Sequence, residues 1–261
     1  MSGAHSLTLT GVAGDPGSAI HRLDPRAKLL AMLAITLAAV STPLRAWPVF
    51  VACAAVLAAT AIVARVGAGT VWRRARIVLP PVLLIAVLIP FMRPGGTTWS
   101  LGPLTVSEAG LAVFAALAAK AAIGTVGAVL LGATTSYPDV LRGLAGLRVP
   151  PLLTLVAGFM YRYLHVIAEE LRRTRAALAS RAFHPRRATD VAPLGRASAA
   201  LFLRTHARGE RVYLAMVARG YAGAMPELEP LRLARRDVAA VGGVLALLVA
   251  VRVAAEVAGA R

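Results

Sequence analysis

Glu169-Glu170-Leu171-Arg172-Arg173-Thr174-Arg175-Ala176-Ala177-Leu178-Ala179-Ser180-Arg181-Ala182-Phe183 opens a basic stretch that runs on to Asp237. It is too charged to lie in lipid, yet it sits between segments too apolar to lie in water. Two short look-alikes stand inside it, Ser180-Arg181-Ala182-Phe183 and Ala218-Arg219-Gly220-Tyr221, with their arginines 38 residues apart. The stretch therefore reads as an inner-face segment that grips a soluble partner while the flanking apolar runs hold it at a membrane.

Composition supports that frame. Of 261 residues, 58% are hydrophobic and 16% charged, against about a quarter charged in an ordinary soluble domain; mean hydropathy is +0.70. Runs of Ala, Val, Leu and Ile with few charges indicate several membrane spans. The net charge of +17 could suit a nucleic acid, but most arginines fall between or beside the apolar runs, the positive-inside pattern of a polytopic membrane protein. Only Lys28 and Lys120 are lysines. The single cysteine, Cys53, lies in an apolar run, so neither a disulfide framework nor a thiol metal site is expected. Residues 1–24 lack the apolar core of a signal peptide.

Moving outward from the basic stretch, the lead-in His21-Arg22-Leu23-Asp24-Pro25-Arg26-Ala27-Lys28 precedes a first span from Leu29 to Val40. Asp24 suits an N-cap and Pro25 the first helical position, where a missing N–H costs nothing. Arg22, Arg26 and Lys28 put this end in the cytoplasm. Further spans are expected over 47–64, 77–92 and 108–133, with Arg65 to Arg76 as a cytoplasmic loop. Pro80, Pro81 and Pro90 should kink or bound the third span, and 93–107 should form an outer turn or short hairpin. In the fourth span Gly124, Ala128 and Gly132 recur every four residues and would permit close helix packing. Lys120, also within it, is either a functional group or a lysine that snorkels or pairs in the bundle.

Pro150-Pro151 begins a long helix whose stripe is Met160, Leu164, Ile167, Leu171, Thr174 and Leu178, with Glu169 and Arg173 spaced to pair. A second amphipathic helix, 194–218, carries Arg204, Arg208, Arg211 and Arg219 as a basic stripe. A last span covers 238–251. The expected fold is an all-α polytopic membrane protein of five spans, or six if Pro151–Met160 crosses, with long amphipathic cytoplasmic helices before the last one. Its expected divisions are 1–133 (lead-in and four spans), 134–237 (cytoplasmic helices) and 238–261 (last span and C-terminus).

No Gly-x-x-x-x-Gly-Lys loop is present, so this chain should not itself bind ATP. There is no His-Glu-x-x-His, and the five histidines are scattered; no zinc chemistry is expected. A Gly-x-Ser-x-Gly elbow and paired intramembrane carboxylates are missing too. What remains is the pair of arginines among small residues. A guanidinium offers a planar fork of donors to a partner's carboxylates or carbonyls, and small neighbours let a partner backbone approach. The plainer alternative is that Arg181 and Arg219 face anionic headgroups.

The lead-in ending Lys28-Leu29-Leu30, the signature Ala218-Arg219-Gly220-Tyr221 and its partner Ser180-Arg181-Ala182-Phe183 together resemble the transmembrane T component of energy-coupling factor (ECF) transporters, and within it the cobalt/nickel-type CbiQ subunits. The resemblance covers nearly the whole chain. The first family motif usually reads Ala-Arg-Gly or Ala-Arg-Ser; here it is Ser-Arg-Ala, with the arginine kept. The resemblance implies a non-catalytic subunit in the cell membrane with its N-terminus in the cytoplasm, binding no cofactor or metal. It would join two cytoplasmic ATPase subunits, which hold the ATP, to a separate substrate-capture membrane subunit. Arg181, Ala182, Ala218, Arg219 and Gly220 would contact the ATPases, while Asp24, Pro25, Arg26 and Lys28 would be structural. The implied cargo is cobalt or nickel, with a vitamin such as biotin as the alternative. A membrane enzyme acting on lipid or isoprenoid phosphates would need Asp-rich metal motifs, whereas Asp139, Asp190 and Asp237 stand alone. A nucleic-acid binder would prefer aromatics among its arginines, and these are sparse.

Overall fold

The computed structural model describes residues 15, 17–43, 46–92, 98–101, 104–181, 183, 191–223 and 233–259. It is helical apart from one antiparallel hairpin, β1 (Thr98–Leu101) with β2 (Leu104–Ser107), in which Thr98 pairs with Ser107 and Leu101 with Leu104. The helices are α1 (Pro25–Ser41), α2 (Trp47–Val63), α3 (Ala68–Val87), α4 (Ile89–Met92), α5 (Glu108–Thr134), α6 (Tyr137–Gly146), α7 (Pro151–Ser180), α8 (Val191–Ala218) and α9 (Arg235–Gly259). By length and composition α5, α7 and α9 can each cross a membrane, and α2 is a shorter apolar helix. The chain is thus an all-α multi-pass membrane protein.

Two compact units divide at Leu147/Arg148 and at Pro230/Leu231. The first is a bundle of α1, α2, α3, α5 and α9, and its core joins Ile35 and Ala39 of α1, Val49, Cys53 and Leu57 of α2, Ile123 and Leu130 of α5, and Leu248 of α9. The cap chemistry follows the sequence at α1: the Asp24 carboxylate accepts the Arg26 N–H at 2.8 Å and Pro25 fills the first turn. At α5 the Ser107 hydroxyl accepts the Gly110 N–H at 3.0 Å.

Helix directions are fixed by polar contacts at both bundle ends. Lys28 of α1 donates to the Thr134 carbonyl at the end of α5 (3.0 Å), and Lys120 of α5 donates to the Val40 carbonyl at the end of α1 (2.8 Å). The two helices are antiparallel, and each lends the other a cation where its last carbonyls lack partners. Between α1 and α9 the Asp24 N–H donates to Asp237 Oδ1 (3.3 Å) at the starts, and Arg252 Nη1 donates to Ser41 Oγ (2.7 Å) at the ends. These two helices are parallel. Asp237, 2% exposed, stands at the third position of α9 and also accepts the Ala234 N–H at 2.8 Å. One buried carboxylate therefore satisfies orphan donors at the starts of two helices.

The structure departs from the sequence expectation in three places. Arg73, Arg74 and Arg76 lie on α3, which begins at Ala68, and not in a loop. Pro80 and Pro81 are carried inside α3, and the break comes at Leu88 before Pro90. The Gly124–Ala128–Gly132 face is not where α5 packs within the chain: a methyl added at Gly124 or Gly132 would meet nothing within 4 Å. The buried stripe is Ala116, Ile123, Gly127, Leu130 and Thr134, with Gly127 under the Met32 side chain and Gly110 against the Pro90 backbone.

Candidate functional site

Both look-alike quartets sit at a helix end, and the two ends share a closing bond that reaches back five residues. On α8 the Gly220 N–H donates to the Val217 carbonyl (2.9 Å) and the Tyr221 N–H reaches back five residues to Met216 (3.0 Å). Gly220 has φ +83°. This is the paired closure in which a left-handed residue turns the chain off the helix, and glycine adopts that geometry without the steric penalty of a Cβ. On α7 the Phe183 N–H reaches back five residues to Leu178 (3.1 Å). Arg181 and Arg219 thus occupy equivalent cap positions, the last before the chain departs. Phe183 and Tyr221 are half-buried, whereas Arg181 and Arg219 are exposed. Among the described residues neither guanidinium has an ion-pair partner. Ala182 lies outside the described residues.

The chemistry of the quartet is therefore that of a helix stop that leaves a cation at the tip. The sequence suggested that the small residues clear space for a partner backbone; at Gly220 the backbone conformation gives a sufficient reason for glycine. The aromatic two places after each arginine occupies the position that commonly folds back onto the last helical turn. Its recurrence in both quartets was the visible signal for that role.

The basic stripe of α8 does not act as one surface. Arg204 Nε lies 2.8 Å and Arg208 Nη2 3.9 Å from the Glu170 carboxylate of α7. Two of its arginines reach the Glu170 carboxylate of the neighbouring helix while staying partly exposed. Arg211, and Arg219 just beyond the helix, are exposed and have no ion-pair partner among the described residues. On α7, Glu169 pairs with Arg173 at 3.2 Å, as its spacing predicts, and also with Arg172. The apolar stripe of α7 is uncovered: Met160 is 67% and Leu164 49% exposed. Between α7 and α8 lies a cavity of about 300 Å³, bordered by Phe159, Tyr163, Ile167, Glu170, Thr205 and Gly209.

In the bundle, Asp24, Pro25, Arg26 and Lys28 meet at the end from which α1 and α9 start. Lys28 also donates to the His21 carbonyl at 3.0 Å, and Gly143 and Gly146 of α6 lie against Pro25 and Arg26. Lys120 is spent on the Val40 carbonyl, a structural use. Among the described residues, no three His, Cys, Asp or Glu side chains gather in a way that could hold a metal ion.

The profile of the CbiQ family, described as cobalt transport protein, matches residues 16–230. An uncharacterized protein of Methanocaldococcus jannaschii is 25% identical over 162 residues, which are 60% of this chain. The chain spans 56% of that relative's length. The family match takes in α1 through α8 and both arginine quartets, and on that coverage the chain belongs to the CbiQ family of cobalt transport proteins.

Proposed function

We propose that this chain is the transmembrane coupling subunit of an ECF-type importer for cobalt or nickel ions. It joins two cytoplasmic ATPase subunits to a membrane subunit that captures the ion. The observation that carries this reading is the pair of helix ends that share a closing bond reaching back five residues, each presenting an exposed arginine. A guanidinium held at a rigid tip can enter a groove and donate to carboxylates or carbonyls there while keeping its charge. Two tips on two helices suit two copies of one ATPase.

In this mechanism ATP binds and is hydrolysed on the partners, and the chain performs no chemistry. When the ATPases close on ATP, the tips of α7 and α8 are carried with them. The movement passes to the capture subunit, which reorients and releases its ion inward. The ion is cargo, and no group on this chain is required to ligate it.

The test is co-purification. With the natural ATPase partner co-expressed, the parent chain should bring it down from detergent-solubilised membranes, and Arg219→Glu should not, while inserting at parental levels. Loss of a charge-assisted contact and its replacement by repulsion costs on the order of 3 kcal/mol, about a hundredfold in affinity. Arg181→Glu should act in the same direction. Retention of the ATPase by both variants would overturn the site; uptake of biotin in place of radioactive cobalt or nickel would overturn the cargo.

A further inference from the structure

α7 and α8 touch over a short patch, although they are 30 and 28 residues long. The patch holds one acidic side chain. The described residues of the two helices include three carboxylates. Glu169 pairs with arginines of its own helix, and Glu210 faces His206 of its own helix. Only Glu170 bridges the pair, lying between Arg204 and Arg208, which project from successive turns of α8. Its side chain is 21% exposed, against 42% for Glu169 and 66% for Glu210. Without this carboxylate, Arg204 and Arg208 would lose the acid they share at the crossing and stand one turn apart as like charges.

Position along the helices gives the bridge mechanical meaning. Arg181 lies eleven residues beyond Glu170, and Arg219 lies eleven residues beyond Arg208. Each arginine therefore ends an arm of about 16 Å measured from the bridge, at the helical rise per residue. A change of about ten degrees in the angle between two such arms moves a tip by roughly 3 Å.

We propose that Glu170 is the pin of a two-armed lever. Its bridge to Arg204 and Arg208 fixes the crossing of α7 with α8, and so sets the separation of the two arginine tips in the protein at rest. Glu170 is a positioning residue: it touches neither arginine tip and acts through the helices that carry them. That the tips dock on ATPases rests on the coupling function proposed above; that Glu170 sets their separation does not.

The experiment measures the separation directly. Full-length protein carrying Cys53→Ala, with spin labels at Ala179→Cys and Ala215→Cys, is placed in lipid nanodiscs and examined by pulsed electron-spin distance measurement. Glu170→Gln should shift the mean distance by roughly 2 Å, the displacement that a change of about ten degrees gives labels nine and seven residues from the bridge, or broaden its distribution at least twofold. The double variant Arg204→Gln/Arg208→Gln should do the same, and the exchanged pair Glu170→Arg/Arg204→Glu should return the parental distribution. Superimposable distributions for the parent, Glu170→Gln and the double variant would overturn the pin. Co-purification of the ATPase with the parent is scored separately, so loss of the coupling reading and loss of the pin give different results.

Discussion

Gly220 shows what a single residue contributes to the site. Its φ of +83° lies in the left-handed region, where a Cβ costs roughly 1–2 kcal/mol. Gly220→Val should therefore fray the last turn of α8 and loosen the seat of Arg219. We expect co-purified ATPase to fall several-fold in Gly220→Val while the Arg219 side chain is intact, with faster amide exchange at Tyr221. Unchanged exchange would remove the helix-stop explanation. Asp237 is the second such residue. Its buried carboxylate receives the Asp24 and Ala234 N–H groups, so Asp237→Ala strands two donors at two helix starts. Loss of a cap costs about 1 kcal/mol, and leaving buried donors unpaired adds a similar amount. A drop of several degrees in the detergent-solubilised melting temperature is the expected reading.

Among elements, α5 separates what pattern can and cannot reveal. Its existence and its start at Glu108 follow from apolar length and the Ser107 cap, both local properties. Which face packs is set by neighbours. Gly124, Ala128 and Gly132 offer a flawless four-residue spacing, yet among the described residues nothing lies within 4 Å of a methyl group added at either glycine, whereas one at Gly110 would lie 2.7 Å from the Pro90 Cα. Backbone cannot move aside as a side chain can, so Gly110→Ala should destabilise the bundle by about 1–3 kcal/mol, and Gly124→Ala should leave thermal stability unchanged or slightly raised. The reverse order in a melting experiment would restore the face suggested by spacing. The same lesson applies to α8. A list of arginines at helical intervals does not disclose that Glu170, on another helix, takes two of them; the clue was a scarce carboxylate in a basic segment. By contrast a helix stop is written in consecutive residues, so the ends of α7 and α8 near the two quartets were legible, although in sequence the small residues there read as room for a partner.

At the scale of the molecule, α1 and α9 start at one end of the bundle and α5 finishes there. The chain leaves the bundle after α6, whose glycines lie on Pro25 and Arg26, and rejoins it at Ala234. Both points belong to one end of the bundle. With Arg196, Arg204, Arg208 and Arg211 along its length, α8 is a poor span. An impermeant maleimide applied to intact cells should label Ala46→Cys but not Ala68→Cys or Ala222→Cys, and all three after permeabilisation, in a Cys53→Ala background. Labelling of Ala222→Cys from outside would put the arginine tips beyond the reach of any cytosolic ATPase.

The reciprocal lysines of α1 and α5 have a consequence for chemical probing. Every other cationic side chain in this chain is an arginine or a histidine, so its two ε-amines are both committed to carbonyl groups of the opposite helix. An acylating reagent can reach either nitrogen only by releasing it. The rate at which Lys28 and Lys120 become acylated therefore clocks the parting of this helix pair, with no engineered label required.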